Sequence, residues 1–394
     1  MAGALTSLKI LDFSTLLPGP YATMLLSDMG AEVVRVESPG RMDLVRLLPP
    51  LVGKSSAAHA YLNRGKQSLA LDLKKEGAAE VIYRLVEQYD IVIEQFRPGV
   101  MDKLGVGYER LREIKPELIY CAITGYGQTG PYRDRAGHDL NYLSLAGVAD
   151  YSRREGQAPI PLGIQVADLA GGSHHAVMAI LAAVIHRQKA GEGQFLDISM
   201  TDAVFSMHAM SAAGLMAGGE VPGPESGFLN GGRFYDYYET ADGRFFSLAG
   251  LEPQFVQGIC IALENPQIAA RGLSQRAEDQ AFFKDFLRQR IKEKSFQYWT
   301  EFFSERDLCA EPVLSMQEAV SHPQIKARTM SVDVERWEGN GTIEQPGFPI
   351  KFSRSTCRAA YSGAPLGADT EAVLARAGYS EDEVNRMRAS KLFG

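Results

Sequence analysis

Residues 136–147, AGHDLNYLSLAG, set an imidazole beside a carboxylate, then an amide and an aromatic ring, in a stretch bounded by glycines. Histidine suits proton transfer near neutral pH, and loops carried on a rigid scaffold are where such groups concentrate. His138 reads either as a hydrogen-bonded loop anchor or as an acid–base group, and the crowding of Asp139, Asn141 and Tyr142 around it favours the second. Asp168 precedes LAGGSHHAVMAILAAVIHRQ, a long helical pattern that opens on small residues. It reads as an N-cap or as a carboxylate at the positive end of a helix, where amides can also stabilise a neighbouring oxyanion; one residue can do both. Glu252, in SLAGLEPQF, stands at a strand end before Pro253, and reads as a cap or as an acid that completes a site from a different domain. The paired His174 and His175 have no partners at metal-ligand spacing and read as packing.

Two further patterns concern ligands. GYGQTG at 125–130 has dinucleotide-fingerprint spacing, but Pro131, Tyr132 and Arg133 follow it in place of the helix that would meet a pyrophosphate. Its glycines are expected instead to let backbone approach a neighbour closely. Arg35, Arg64, Lys66 and Arg97 fall at the exits of predicted strands, where ligands of open α/β sheets bind, and together suggest a site for a phosphorylated ligand.

The elements that must position these groups alternate. LKILDFS, AEVVRVE, SLALDL, DIVIE and LIYCAIT read as strands, separated by helical stretches over 21–29, about 75–88 and near 107–115. That alternation predicts a parallel sheet with helices on both faces. Residues 131–167 read as loop, and a long helix follows over 169–188. From 226 to 330, strands FYDYYET and RFFSLAG and helices rich in charge and Phe predict a smaller α+β domain. The resulting division is a large domain over 1–200, a linker over 201–225, the small domain over 226–330, and a return segment over 331–394 packed on the first domain.

The composition, 45% hydrophobic and 23% charged, is that of a soluble globular protein, and a net charge of -7 without a long basic run offers nucleic acid no field to bind. Four scattered cysteines read as reduced, pointing to a reducing, cytoplasmic compartment; no export signal is evident, and Ser390-Lys391-Leu392 is not terminal. The apolar run AVMAILAAVI, 176–185, is shorter than a bilayer span and reads as a core helix, so no membrane partner is expected.

The segments LTSLKILDFSTLLPGPYATMLLSDMGAEVVRVE, IEQFRPGVMDKLG, LIYCAITGYGQTGPYRDRAGHDLNYLSLAG, VADLAGG, LEPQF and PLGADTEAVLARAGYSEDEV resemble the family III CoA-transferases, and within them the α-methylacyl-CoA racemases. The likeness covers nearly the whole chain. It implies a Rossmann-like large domain, a smaller domain, and an interlocked homodimer with active sites between subunits. It further implies that Arg35, Ala70, Leu71, Asp72, Leu73, Glu94, Gln95, Phe96, Arg97, Ala136, Gly137, Asp139, Leu140 and Asn141 bind coenzyme A. His138 and Asp168 would be the catalytic pair, supported by Glu252. No permanently bound cofactor or metal is implied, coenzyme A entering as part of an acyl-CoA substrate of lipid metabolism. In a racemase both groups exchange the α-proton of a 2-methyl-branched acyl-CoA through an enolate; in a CoA-transferase Asp168 attacks the thioester to form an acyl anhydride. The stretch FLNGGRFYDYYET departs from the racemases at Asn230, Arg233 and Phe234, where they carry Asp and Ala-Pro, and is expected to lie by the acyl group.

Overall fold

The β-branched runs of the first half form a six-stranded parallel sheet in a computed structural model that describes residues 2–393. Its strands are β1 (Lys9–Asp12), β2 (Glu32–Glu37), β3 (Gln67–Ala70), β4 (Ile91–Glu94), β5 (Ile119–Thr124) and β6 (Phe195–Ser199). Their order is β3-β2-β1-β4-β5-β6. The chain runs outward in one direction from β1 to β3 and in the other from β4 to β6, so the loops leaving β1 and β4 part and open a crevice between them. The strand β6 has no counterpart in the sequence reading. It is a half-covered edge with Asp197 in its middle, so it lacks the continuous apolar run that marks its buried neighbours.

Helices cover the sheet. They are α1 (Pro18–Asp28), α2 (Ala78–Val86), α3 (Tyr108–Ile114), α4 (Asp139–Leu145), α5 (His175–Ala190) and α6 (Met200–Ser206). Pro18 and Pro20 sit in the first turn of α1, where their missing N–H groups cost nothing, so the turn that ends β1 also starts the helix. In α2 the buried residues Ala78, Val81, Ile82, Leu85 and Val86 repeat at helical spacing, and each large aliphatic side chain removed from water there is worth about 1.5–3 kcal/mol.

Ahead of α5 the chain is π-helical over Ala167–His174 and runs into it without a break. The expectation of a core helix holds on one face only: Ala176, Ile180, Ala183 and Val184 are buried, whereas Met178 and Ile185 are 61% and 56% exposed. The whole of Ala167–Ala190 is, by length and composition alone, apolar enough to cross a membrane.

The chain divides into two compact units. The first holds the residues up to Ala146, Leu162–Met207 and the residues from Pro323 onward. Its last helices, α10 (Thr370–Arg376) and α11 (Glu381–Ala389), numbered after those of the second unit, bury Val373, Leu374 and Val384 in the same core as Leu11, Val34 and Leu69. The second unit comprises Gly147–Pro161 and His208–His322. It contains a three-stranded antiparallel sheet of β7 (Asp236–Glu239), β8 (Phe245–Leu248) and β9 (Ala310–Pro312), with α7 (Pro253–Ala262), α8 (Ala277–Lys292) and α9 (Phe296–Ser304). Its core is aromatic, with Phe234, Tyr238, Phe246, Phe283, Phe296, Trp299 and Phe303 all buried.

Candidate active site

A cavity of about 310 Å³ lies in the first unit at the carboxyl ends of β1, β4 and β5, where the strand order reverses. Leu16 and Pro18 reach it from the loop after β1, Gln95, Phe96 and Arg97 from the loop after β4, and Gly125 and Tyr126 from the loop after β5. The crevice is spanned by one hydrogen bond, in which Gln95 Oε1 accepts from the Gly19 N–H at 2.8 Å. His138 and Asp168 both line the cavity.

Each of these two groups is held by its own element. His138 is the N-cap residue of α4, in extended backbone, and Asn141 Oδ1 accepts from its N–H at 3.0 Å. The loop that delivers it is packed by Tyr142, which is 5% exposed and donates from its hydroxyl to the Gly137 carbonyl at 2.5 Å. Two glycines make room for that ring: a Cβ on Gly125 would stand 2.4 Å from it, and one on Gly137 2.7 Å from it. That is the close approach expected of the GYGQTG glycines, and no helix follows them before α4.

Asp168 is not a cap. It lies within the first turn of the π-helix, whose preceding residue Val166 makes no side-chain cap. Asp139 Oδ1 accepts from the Asp168 N–H at 3.0 Å, and the Leu169 N–H goes to the Gln165 carbonyl at 3.0 Å. These two amides are therefore committed and do not supply the oxyanion donors expected at that helix start. Burial, reinforced by the negative charge of Asp139, pushes the Asp168 carboxyl up to about 7. A helix start favours the charged form of a carboxylate; burial overrides that here, so the carboxyl can exchange a proton near neutral pH. The π-turn itself is fixed by the Ser173 hydroxyl, which donates to the Pro18 carbonyl at 2.6 Å.

The remaining sequence candidates separate. Gln95, Phe96, Arg97, Ala136 and Gly137 line the cavity with His138 and Asp168. Asp139, Leu140 and Asn141 follow in α4 but do not line it. Ala70 and Leu71 are buried beside β2, where the Leu71 N–H is bound by the Glu37 carbonyl, and Asp72 and Leu73 continue toward the Leu392 carbonyl, away from this cavity. Glu94 turns inward, is 5% exposed and accepts from the Phe96 N–H at 2.6 Å; burial pushes its carboxyl up to about 8.

The basic cluster needs correction. Arg35, Arg64 and Lys66 are each 1% exposed. Arg35 is ion-paired with Asp43 and Glu37, Arg64 with Asp28, and Lys66 with Asp12 at 3.3 Å. Taking these cations out of water demands paired acids, and sealed in that way they cannot meet a ligand phosphate. Only Arg97 of the four opens on the cavity, where Arg133 and Arg135 join it. Those two arginines, from the loop before His138, were missed in the sequence because exposed basic residues in a loop carry no periodic signal.

Glu252 belongs to the second unit, at the N-cap position of α7 with Pro253 in the first turn, and its exposed side chain makes no capping hydrogen bond. The departing stretch 228–240 is in the same unit. Phe234 is 1% exposed and packs edge-on against Phe283, and Arg233 lies over the Phe228 ring. Asn230 closes its own loop, accepting from the Gly227 N–H at 2.7 Å and donating to the Gly223 carbonyl at 2.9 Å.

Comparison with known proteins agrees with this geometry. Residues 5–370 match CoA-transferase family III. The sequence is 32% identical to an alpha-methylacyl-CoA racemase of Homo sapiens, over 99% of this chain and 97% of that one. It is 36% identical to a succinyl-CoA:mesaconate CoA-transferase of Haloarcula hispanica, over 90% and 91% of the two chains. The fold superimposes on the crystal structure of a CAIB/BAIF family protein from Brucella suis with a TM-score of 0.84 at 30% identity, covering 96% of this chain and 100% of that one. An α/β chain with a parallel sheet of this order, a cavity at its switch point and a match over most of its length belongs to CoA-transferase family III, as an enzyme of the racemase or CoA-transferase kind.

Proposed function

We propose that this protein interconverts the stereoisomers of a 2-methyl-branched acyl-CoA by proton transfer at the α-carbon. The observation that carries the reading is the meeting of His138 with an Asp168 carboxyl held up to about 7 on one cavity. Racemisation needs one group to take the α-proton and another to return it from the opposite face, and groups poised near the working pH do both best. In one direction neutral His138 removes the proton and protonated Asp168 delivers another; in the reverse direction the roles exchange. Between these steps the thioester oxygen carries enolate charge, which polar groups at the cavity must meet. Arg97, Arg133 and Arg135 at the cavity suit the phosphates of coenzyme A, with Gln95, Phe96, Ala136 and Gly137 as its closer walls.

Glu252 is assigned a supporting role, holding proton positions from the second unit, and the functional state is an interlocked homodimer. The exposed apolar side chains of Met178 and Ile185 on α5 and of Leu44, Leu47 and Leu51 favour such a covered state. Free thiols at Cys121, Cys260, Cys309 and Cys357 suit a reducing cytoplasm.

The second reading is CoA transfer through an acyl anhydride on Asp168, favoured by the 36% identity to a CoA-transferase. A nucleophilic carboxylate is best kept ionised, which burial beside Asp139 opposes. Replacing His138 with Ala separates the two: the racemase loses α-proton exchange by about 10²-fold or more, whereas a transferase keeps most of its CoA exchange. Unimpaired α-proton exchange in that variant would remove His138 from the mechanism.

A further inference from the structure

The carboxylate next to His138 carries a role that differs from ligand contact. Asp139 is the first residue of α4, and its Oδ1 accepts from the backbone N–H of Asp168 at 3.0 Å. It does not line the cavity, although both of its neighbours in function do. The same helix carries the N-cap His138, so one rigid turn bears the first catalytic group and grips the backbone of the second.

We propose that Asp139 is a positioning residue for Asp168: it locks the first turn of the π-helix against α4 and sets a fixed like charge beside the Asp168 carboxyl. A π-helical turn leaves its backbone less well satisfied than an α-helix, so an outside acceptor on its first amides determines where the side chains of that turn point. The titratable and charged groups on elements against this turn are Tyr21 and Asp28 on α1, Asp139 and Tyr142 on α4, and His174 and His175 at the junction with α5. His186, Arg187 and Lys189 lie at the far end of α5, Asp197 on β6 and Asp202 on α6, while His138 faces the same cavity. Of these, Asp139 alone adds to burial in raising Asp168.

The kinetic part of this inference rests on the racemase reading, and the titration part does not. Asp139→Asn keeps an acceptor oxygen for the Asp168 amide and removes the charge; Asp139→Ala removes both. Protein labelled with ¹³C in its aspartate carboxyls, with the Asp168 signal identified by its absence in Asp168→Asn, is titrated directly. In Asp139→Asn the Asp168 midpoint is expected to fall by roughly one pH unit. The limb of the α-proton exchange profile set by Asp168, alkaline where it acts as the acid and acid where it acts as the base, should move with it, and KM for the acyl-CoA should stay near that of the parent. Asp139→Ala should lose about tenfold or more in kcat through misplacement of Asp168. An unchanged Asp168 midpoint in Asp139→Asn overturns the proposal, as does a raised KM with kcat kept, which marks a ligand contact. If the parent itself exchanges no α-proton, the racemase reading fails while the titration still decides this one.

Discussion

The raised pKa of Asp168 has a consequence for folding as well as for the proposed catalysis. Its unfolded value is that of an ordinary carboxyl, near 3.8, and its folded value is about 7. Between those limits the folded chain binds more protons than the unfolded one, so stability falls as pH rises from about 4 to about 7 and then levels off. Asp168→Asn removes that penalty. The variant is expected to be catalytically dead yet more stable at pH 8, by on the order of 1 kcal/mol after allowance for the group's remaining contact with water, and no more stable at pH 4. Chemical denaturation of both proteins at the two pH values checks this; a variant less stable at pH 8 would mean that the ionised carboxylate is welcome where it stands. At this scale the sequence was informative in one respect and silent in another. His138 and Asp168 stood out because ionisable groups were crowded into a loop or placed at a helix start. Nothing in the residues told Arg97, which is exposed at the cavity, from Arg35, Arg64 and Lys66, which are sealed by Asp43, Asp28 and Asp12. A basic residue at a strand exit looks the same in sequence whether an acid folds over it or not.

At the scale of elements, the loop bearing His138 depends on one ring. Tyr142 fills the space above Gly125 and Gly137, and the Gly125 carbonyl also accepts from the Thr201 N–H at 3.0 Å and the Thr201 hydroxyl at 2.7 Å. Gly125→Ala would drive a methyl group to within 2.4 Å of the Tyr142 ring while the backbone is pinned at the start of α6. The expected cost is about 1–3 kcal/mol of stability, together with a drop in turnover as the loop bearing His138 shifts. Thermal unfolding and kcat measured on the same preparation test this; unchanged values would show that the ring gives way freely. Five strands of the sheet were legible as apolar, β-branched runs cut off by Gly, Pro or charged turns. Several elements were not, among them the three-residue β9 and α4, which lies in the stretch 131–167 read as loop. The strand β6 is interrupted by Asp197, and the π-turn is spelled by the small residues of ADLAGGSH, which carry no hydrophobic period to distinguish one helical form from another.

For the molecule as a whole, the two units divide the candidate site residues. The first carries His138, Asp168 and the cavity, and the second carries Glu252 on an aromatic core of its own. The proposed interlocked homodimer predicts that sedimentation at micromolar concentration gives a species of about twice the 43.1 kDa chain mass, with no stable monomer. A monomer with full activity would instead place every needed group in one chain. The family likeness was readable because its motifs are spread in order along the chain.

The central claim is that this cavity moves a proton at the α-carbon of a thioester. The most direct test is to incubate one enantiomer of a 2-methylacyl-CoA with the enzyme in deuterated water, following α-deuterium by mass spectrometry and configuration by NMR. The account predicts one deuterium at the α-carbon, gained together with loss of optical purity, and neither change in Asp168→Asn or in His138→Ala. Retention of both the α-proton and the configuration across short and long acyl chains, with CoA exchanged into an added carboxylic acid, would contradict it and make Asp168 a nucleophile.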